Sequence, residues 1–384
     1  MTLSDVSSLS SSSSSSSSMF YGKLLAFVAC IVTVVLMTGF ASSGVVLSGE
    51  LIVQPFRRTL GTTPNASTLI QKRDVARTNL VLCKIPKVGG TTTAGVGRRV
   101  GEKYGLSGTR DEEWITREPG VWMNHMKMGK EGLAEKIKKL RMDAFVFTVV
   151  REPVARVISN FQFTFMDPKH SEKRVRMCVE RNSKKISCKL PLPTTKKEIE
   201  DRLLLFVEEA NINEERDYCL PAEGKKWSVH QVMDNLDFVG VTERFDESLI
   251  VIKEIFNLDY SDILYLSAKV VEYDWLGTDK ENSGENILSP RVQAKVEQMM
   301  EDSDDHKLWR IANERLDVLE SEIPDFKNKL ETFTKYKAAA QKRCKVHVDD
   351  GNLSQCLYHD HGCGEVCLNE FARDAAEGHR LSYR

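Results

Sequence analysis

The sequence predicts an α/β domain, a parallel sheet flanked by helices, on three observations. Apolar runs of strand length alternate with helix-period patterns through the middle of the chain. One run, Ala144 to Val150 (AFVFTVV), is apolar on both alternating faces, as in a strand covered by helices on each side. Two constellations suited to anions follow strand carboxyl ends, where such sheets bind their ligands.

Taken in order, the first predicted strand is Leu80 to Ile85. It feeds a turn of Pro86, Lys87, Val88, Gly89 and Gly90, and then Thr91, Thr92 and Thr93. The helix that follows carries Val96, Val100 and Tyr104 at four-residue spacing. Gly120 to Met123 is a short strand. After Ala144 to Val150, Pro153 fits the first position of a helix. That helix puts Val154, Val157, Ile158 and Phe161 on one face. Phe238 to Val241 is another strand, with Asp246 as the predicted N-cap of a helix through Leu249, Ile252 and Phe256. Residues 291–336 read as helical with a break near Pro324.

The 384 residues carry a formal net charge of −1, with 28% charged and 41% hydrophobic residues. That is an ordinary globular balance, with no basic excess to point to nucleic acid. Residues 1–23 are a serine-rich tail expected to be disordered on the cytoplasmic side. Residues 24–41 are uncharged and apolar, just long enough to span a bilayer, and read as a transmembrane signal anchor, with a cleaved signal as the alternative. Lys23 precedes this stretch and Arg57 and Arg58 follow it, so charge does not set its orientation. Two sequons, at Asn65 and Asn352, and clustered cysteines place the body on the lumenal side. Residues 42–77 form a stem, 78–340 the folded body and 341–384 a cysteine-rich tail. Cys30 and Cys83 are expected to be free, and Cys178 and Cys188 to form a local disulfide. Cys219 has no evident mate. Cys344, Cys356, Cys363 and Cys367 lie near His347, His359 and His361. Zinc is one reading of that cluster, but a lumenal location favours disulfides, in any of three pairings.

The chemistry lies in the two constellations. A small-residue turn lets backbone N–H groups approach an anion, and a following helix N-terminus adds its positive end. Lys87 precedes the glycines here, whereas the nucleotide-binding GxxxxGK[ST] loop places its lysine after them. In the second constellation, Arg151 ends a buried strand and Ser159 sits about two turns into the next helix. A guanidinium fork and a hydroxyl can converge on one phosphate.

In these motifs the chain resembles Golgi sulfotransferases that use 3′-phosphoadenosine 5′-phosphosulfate. The family's K-x-G-x-T cradle, P-loop-like in fold, holds the 5′-phosphosulfate, and Lys87, Val88, Gly89, Gly90, Thr91, Thr92 and Thr93 match it. Its R-x(7)-S element holds the 3′-phosphate, and Arg151 and Ser159 match that. The stretches Asn124-His125-Met126-Lys127 and Glu243 to Leu249 are similar to the galactose 3-O-sulfotransferase branch. The resemblance implies a sulfotransferase domain at 78–340, a lumenal body on a single-pass type II Golgi membrane protein, and a glycan acceptor. A homodimer is an expected assembly, and no metal is expected. Lys87 and the threonines stabilise the leaving oxygen in that reading; His125 is the candidate general base and Glu102 the reserve. Glu243 and Asp246 read as structural, and Arg98 and Arg99 as a solvated helix face. Three alternatives stay open: another acceptor such as a uronic acid or a tyrosylprotein, a P-loop kinase, and a non-catalytic lumenal lectin or scaffold that keeps the donor-binding fold.

Overall fold

Four strands, β1 (Asn79–Leu82), β2 (Val121–Trp122), β3 (Ala144–Val150) and β4 (Phe238–Val241), form one sheet in the order β2-β1-β3-β4. Every neighbouring pair is parallel. The computed structural model describes residues 70, 72–107, 120–123, 144–166, 171–181, 185–209, 214–219, 227–266, 289–344 and 364–376. All of these belong to one unit at residues 56–384. Among them no helix is long and apolar enough to cross a membrane, and the predicted anchor at 24–41 lies outside them.

β3 is buried at all its positions, as its sequence requires. Register pairs Leu82 with Phe147 and Val150 with Val241, so β1, β3 and β4 end on one edge. The predicted strand at Leu80 to Ile85 is shorter as a ladder, because the Thr148 hydroxyl and the Ile85 N–H both donate to the Cys83 carbonyl. Contacts to the sheet begin before Thr78. Arg73 donates to Asp237 at 2.7 Å and to the Ala144 carbonyl at 3.2 Å.

The helices are α1 (Gly90–Lys103), α2 (Pro153–Phe165), α3 (Ser171–Arg181), α4 (Lys196–Glu208), α5 (Glu214–Cys219) and α6 (Val229–Asp234). After β4 come α7 (Phe245–Phe256), α8 (Pro290–Glu301), α9 (Asp304–Glu322), α10 (Phe326–Cys344) and α11 (Glu365–Ala376). Two apolar cores result. One surrounds the sheet. The other joins Val157, Phe161 and Phe165 of α2 to Leu203 and Phe206 of α4 and Val296 of α8. α2 therefore buries one face in a helical layer and leaves its other face toward the strand ends.

Three expectations need correction. Asp246 is not an N-cap: a 3-10 turn at Thr242–Arg244 runs straight into α7. Asp246 lies in the first turn, accepting from the Tyr265 hydroxyl at 2.7 Å and from the Lys337 ammonium. The helical stretch at 291–336 breaks twice, near Pro324 as expected and also at Ser303, whose hydroxyl caps α9. Arg98 and Arg99 are buried rather than solvated. α11 covers α1, and Arg99 donates to Asn369 at 2.8 Å and to the Leu264 and Ser261 carbonyls. Burial pushes the Arg99 guanidinium down to about 10, still cationic at neutral pH.

The cysteines fall as two disulfides, Cys178–Cys188 and Cys344–Cys367, while Cys83 and Cys219 are buried free thiols. Burial, and a hydrogen bond with Cys219, push the Cys83 thiol well up, so it is unreactive. Cys30, Cys356 and Cys363 lie outside the described residues.

Candidate active site

The turn after β1 carries two residues with left-handed backbone, Lys87 at φ 68° and Gly89 at φ 76°. Gly89 accepts that conformation freely. A lysine there is held against a cost of about 1–3 kcal/mol, of the kind that gathers at functional sites. Alternating handedness turns successive N–H groups inward and makes an anion nest. Gly89 is also the N-cap of α1, with no side chain capping the helix. The N–H groups of Gly90, Thr91 and Thr92 thus stand at the positive end of a helix. Thr93 differs from its neighbours. It is buried, and both its N–H and its hydroxyl donate to the Gly89 carbonyl, at 3.0 and 3.2 Å.

Val88 is buried and anchors the turn. The Thr242 hydroxyl lies 2.9 Å from the Val88 carbonyl and 3.0 Å from the Val150 carbonyl, tying three strand ends together. A second lysine lies beneath. Lys84 is buried, and its stem passes 3.0 Å from where a Cβ on Gly90 would stand. Sequence reasoning missed it, although a lysine inside the apolar run Leu80 to Ile85 was a visible signal.

Arg151 follows β3. Its guanidinium donates to the Lys87 carbonyl at 3.3 Å and lies 3.8 Å from the Glu243 carboxylate. Burial lowers its pKa, and Glu243, Glu152 and Glu215 oppose that shift. The Glu152 side chain caps α2 by accepting from the Val154 and Ala155 N–H groups. Ser159 is part-buried on α2, one turn before Phe163. The Lys87 ammonium sits 4.4 Å from the Phe163 ring centroid, so the Ser159–Phe163 face is the one turned to the cradle. Lys87, Arg151 and Ser159 thus share one edge of the sheet.

Beneath Arg151 lies a buried charge network. Glu215 accepts from the Arg151 N–H at 3.2 Å and pairs with Arg156 at 3.3 Å. Asp305 pairs with Arg156 at 3.2 Å and accepts from the Glu215 and Arg216 N–H groups. Arg156 is 1% exposed, and Glu215 and Asp305 are fully buried. Burial pushes the Glu215 carboxyl well up, with Arg156 opposing and Asp305 reinforcing the shift. Glu243 accepts from the Glu152 N–H at 3.2 Å and from the Trp309 ring N–H at 3.3 Å.

Glu102 is not brought to this edge. It is exposed near the far end of α1, about 18 Å along the axis from Gly90 at 1.5 Å per residue. His125 lies outside the described residues. The chain leading to it packs against α1, since Met123 Cε would lie 2.1 Å from a Cβ on Gly97.

A cavity of about 340 Å³ opens beside Thr242, lined also by Glu243, Arg244, Asp246, Glu247 and Tyr265. Arg244 binds Asp317 and Glu320 at 2.6 Å each, and also Glu247. Burial and the Glu247 carboxylate push the Glu320 carboxyl up to about 7. Between about 4.3 and 7 the folded chain therefore holds a proton there that the unfolded chain has released, and stability falls as pH rises through that window. Glu320→Gln should flatten that slope in melting curves taken from pH 4.5 to 7.5. An unchanged slope would assign the proton elsewhere.

A family model described as the sulfotransferase family matches residues 74–359. No curated protein matches the chain. The match spans the cradle, Arg151, Ser159 and the charge network beneath them, and on it the chain belongs to the sulfotransferase family.

Proposed function

We propose that the chain transfers a sulfuryl group from 3′-phosphoadenosine 5′-phosphosulfate to a hydroxyl of a glycan. The acceptor is galactose or a related sugar on a glycoprotein, glycolipid or polysaccharide. The reaction runs in the Golgi lumen, with residues 24–41 as a type II membrane anchor. The observation that carries this reading is the 3.3 Å bond from the Arg151 guanidinium to the Lys87 carbonyl. It fixes a second cationic position against the cradle. A donor with a separate 3′-phosphate uses both positions, whereas ATP leaves Arg151 without a ligand.

The donor supplies a sulfuryl group activated by its link to a phosphate. The Lys87 ammonium and the N–H groups of Gly90, Thr91 and Thr92 lie where negative charge develops on the leaving oxygen. Arg151 and Ser159 hold the 3′-phosphate. His125 remains the candidate to take the acceptor proton. Glu102 stands too far down α1 to replace it without a rearrangement.

The test is a thermal-shift titration of the full chain with 3′,5′-bisphosphoadenosine, ADP and ATP. A ligand that binds only the folded state raises the melting temperature, by about 2.7 kcal/mol of stability at a hundredfold excess over Kd. The bisphosphate should stabilise the protein and ATP should not. Stabilisation by ATP alone would overturn the donor assignment and bring the kinase reading forward.

A further inference from the structure

Phe163 is 41% exposed on α2, between Phe161 and Phe165, which are both buried. At about 100° per residue its ring points away from the core that those two fill. A single exposed aromatic is ordinary on a protein surface. Three observations separate this one from that reading.

The first is that cations from two other parts of the chain meet its ring. The Lys87 ammonium lies 4.4 Å from the ring centroid, and the Arg174 guanidinium carbon lies 3.6 Å from it. The second is that the ring is held. Arg174 also donates to the Phe163 carbonyl at 2.8 Å, so one guanidinium grips both the ring and its backbone. Arg174 stands on α3, which the Cys178–Cys188 disulfide ties to the segment at 185–190. Arg202 holds that segment in turn through the Ser187 carbonyl at 2.7 Å. The third is that the other end of Lys87 is fixed as well. Arg151 donates to the Lys87 carbonyl at 3.3 Å, and the Thr242 hydroxyl lies 2.9 Å from the next carbonyl, that of Val88. A lysine with its backbone anchored and its ammonium on an aromatic face keeps few of its rotamers.

We propose that Phe163, gripped by Arg174, is a positioning residue for Lys87: its ring fixes the ammonium on the α2 side of the turn before the donor binds. This rests on the transfer reading above and adds to it a residue outside the two anion motifs. α2 then serves both anion positions, since Ser159 and Phe163 stand about 6 Å apart along it at 1.5 Å per residue. A side chain whose freedom is already lost meets developing charge without reorganising. Leucine at 163 is also apolar but offers no negative π face, so it leaves the lysine stem free to sample its other rotamers.

The test uses the full chain and four variants: Phe163→Leu, Phe163→Tyr, Arg174→Gln and the Phe163→Leu/Arg174→Gln double. Because the ring is exposed, the melting temperature of Phe163→Leu should stay near that of the wild type. With labelled 3′-phosphoadenosine 5′-phosphosulfate and a galactan as acceptor, Phe163→Leu should lower kcat about two- to fivefold, the size of one partly exposed cation–ring contact. The KM for the galactan should hold. Phe163→Tyr keeps the π face and should restore kcat. Arg174→Gln should lower kcat in the same direction, and the double variant should be no slower than Phe163→Leu, because both act through one ring. Acylation of Lys87 by an amine reagent, read by mass spectrometry on the donor-free protein, needs no turnover. It should quicken in Phe163→Leu, where the ring no longer covers the ammonium, and not in Phe163→Tyr. Unchanged kcat in the leucine variant, a tyrosine variant as slow as the leucine one, or equal labelling of Lys87 in all proteins would each overturn the proposal. A faster leucine variant would overturn it too, since the ring would then hold the lysine back. Additive losses in the double variant would overturn the role of Arg174. Failure of the wild type to bind 3′,5′-bisphosphoadenosine would instead sink the transfer reading, and the labelling of Lys87 would still decide the contact.

Discussion

Lys87→Ala should abolish sulfuryl transfer and leave the fold in place. In the proposed reaction the ammonium meets the charge that develops on the leaving oxygen, which would otherwise go unmatched. Losing one such preorganised donor costs about 10²–10³ in rate. The stability side is small. Lys87 is part-buried, and its ring contact with Phe163 is worth about 0.5–1 kcal/mol. Its backbone at φ 68° gives a further handle. Lys87→Gly should be at least as stable as the alanine variant, because glycine accepts left-handed backbone without strain, and it should be equally inactive. Transfer assays with labelled donor, beside melting curves of the three proteins, check both halves. Wild-type turnover in either variant would sink the assignment of the site. A glycine variant less stable than the alanine one would show that the strain relieved at this left-handed position is smaller than the extra freedom glycine gives the unfolded chain.

The parts of the fold legible in the sequence are those governed by local rules. Ala144 to Val150 is a strand buried on both faces, and Pro153 starts a helix where its fixed φ and missing N–H cost nothing. The turn at Lys87 to Gly90 could be read because glycine and an adjacent helix N-terminus carry their chemistry in sequence order. What the sequence did not yield depends on partners far along the chain. Asp305 reaches Arg156 across 149 residues, and Arg99 reaches Asn369 across 270. No periodicity announces such pairs, so Arg99 looked like a surface residue and Glu215 drew no notice. Asp246 misled for a different reason. An acidic residue just after a strand fits an N-cap, but the 3-10 turn before it already continues into the helix and leaves the carboxylate for Tyr265 and Lys337.

Arg156→Met should be the most destabilising single substitution of a charged residue at this site. It leaves Glu215 and Asp305, both fully buried, without the guanidinium between them. Removing one member of a buried ion network costs about 3–5 kcal/mol, a large share of the roughly 5–15 kcal/mol that holds a domain folded. The pH dependence follows from the sign of the linkage. Burial already holds the Glu215 carboxyl well above its ordinary range, and without Arg156 it rises further. It then disfavours folding once pH exceeds its unfolded value, so the deficit against wild type is smallest in mild acid and grows toward neutrality. Urea titrations at pH 4.5 and 7.5 measure it, and an equal deficit at both would mean that the loss is packing and not charge. A triple variant, Arg156→Met with Glu215→Leu and Asp305→Leu, separates two roles of the network. Replacing a whole buried network with apolar side chains is often neutral or stabilising, so much of the stability should return, less the cost of the Arg151, Glu215 and Arg216 N–H groups left without their carboxylate acceptors. Affinity for 3′,5′-bisphosphoadenosine should not, because Glu215 also receives the Arg151 N–H at 3.2 Å. Its loss frees the turn that aims the guanidinium, at about tenfold in affinity for one lost hydrogen bond. Recovery of both stability and affinity would reduce the network to a structural element. Recovery of stability alone would show that buried charge is kept here to hold Arg151 in place.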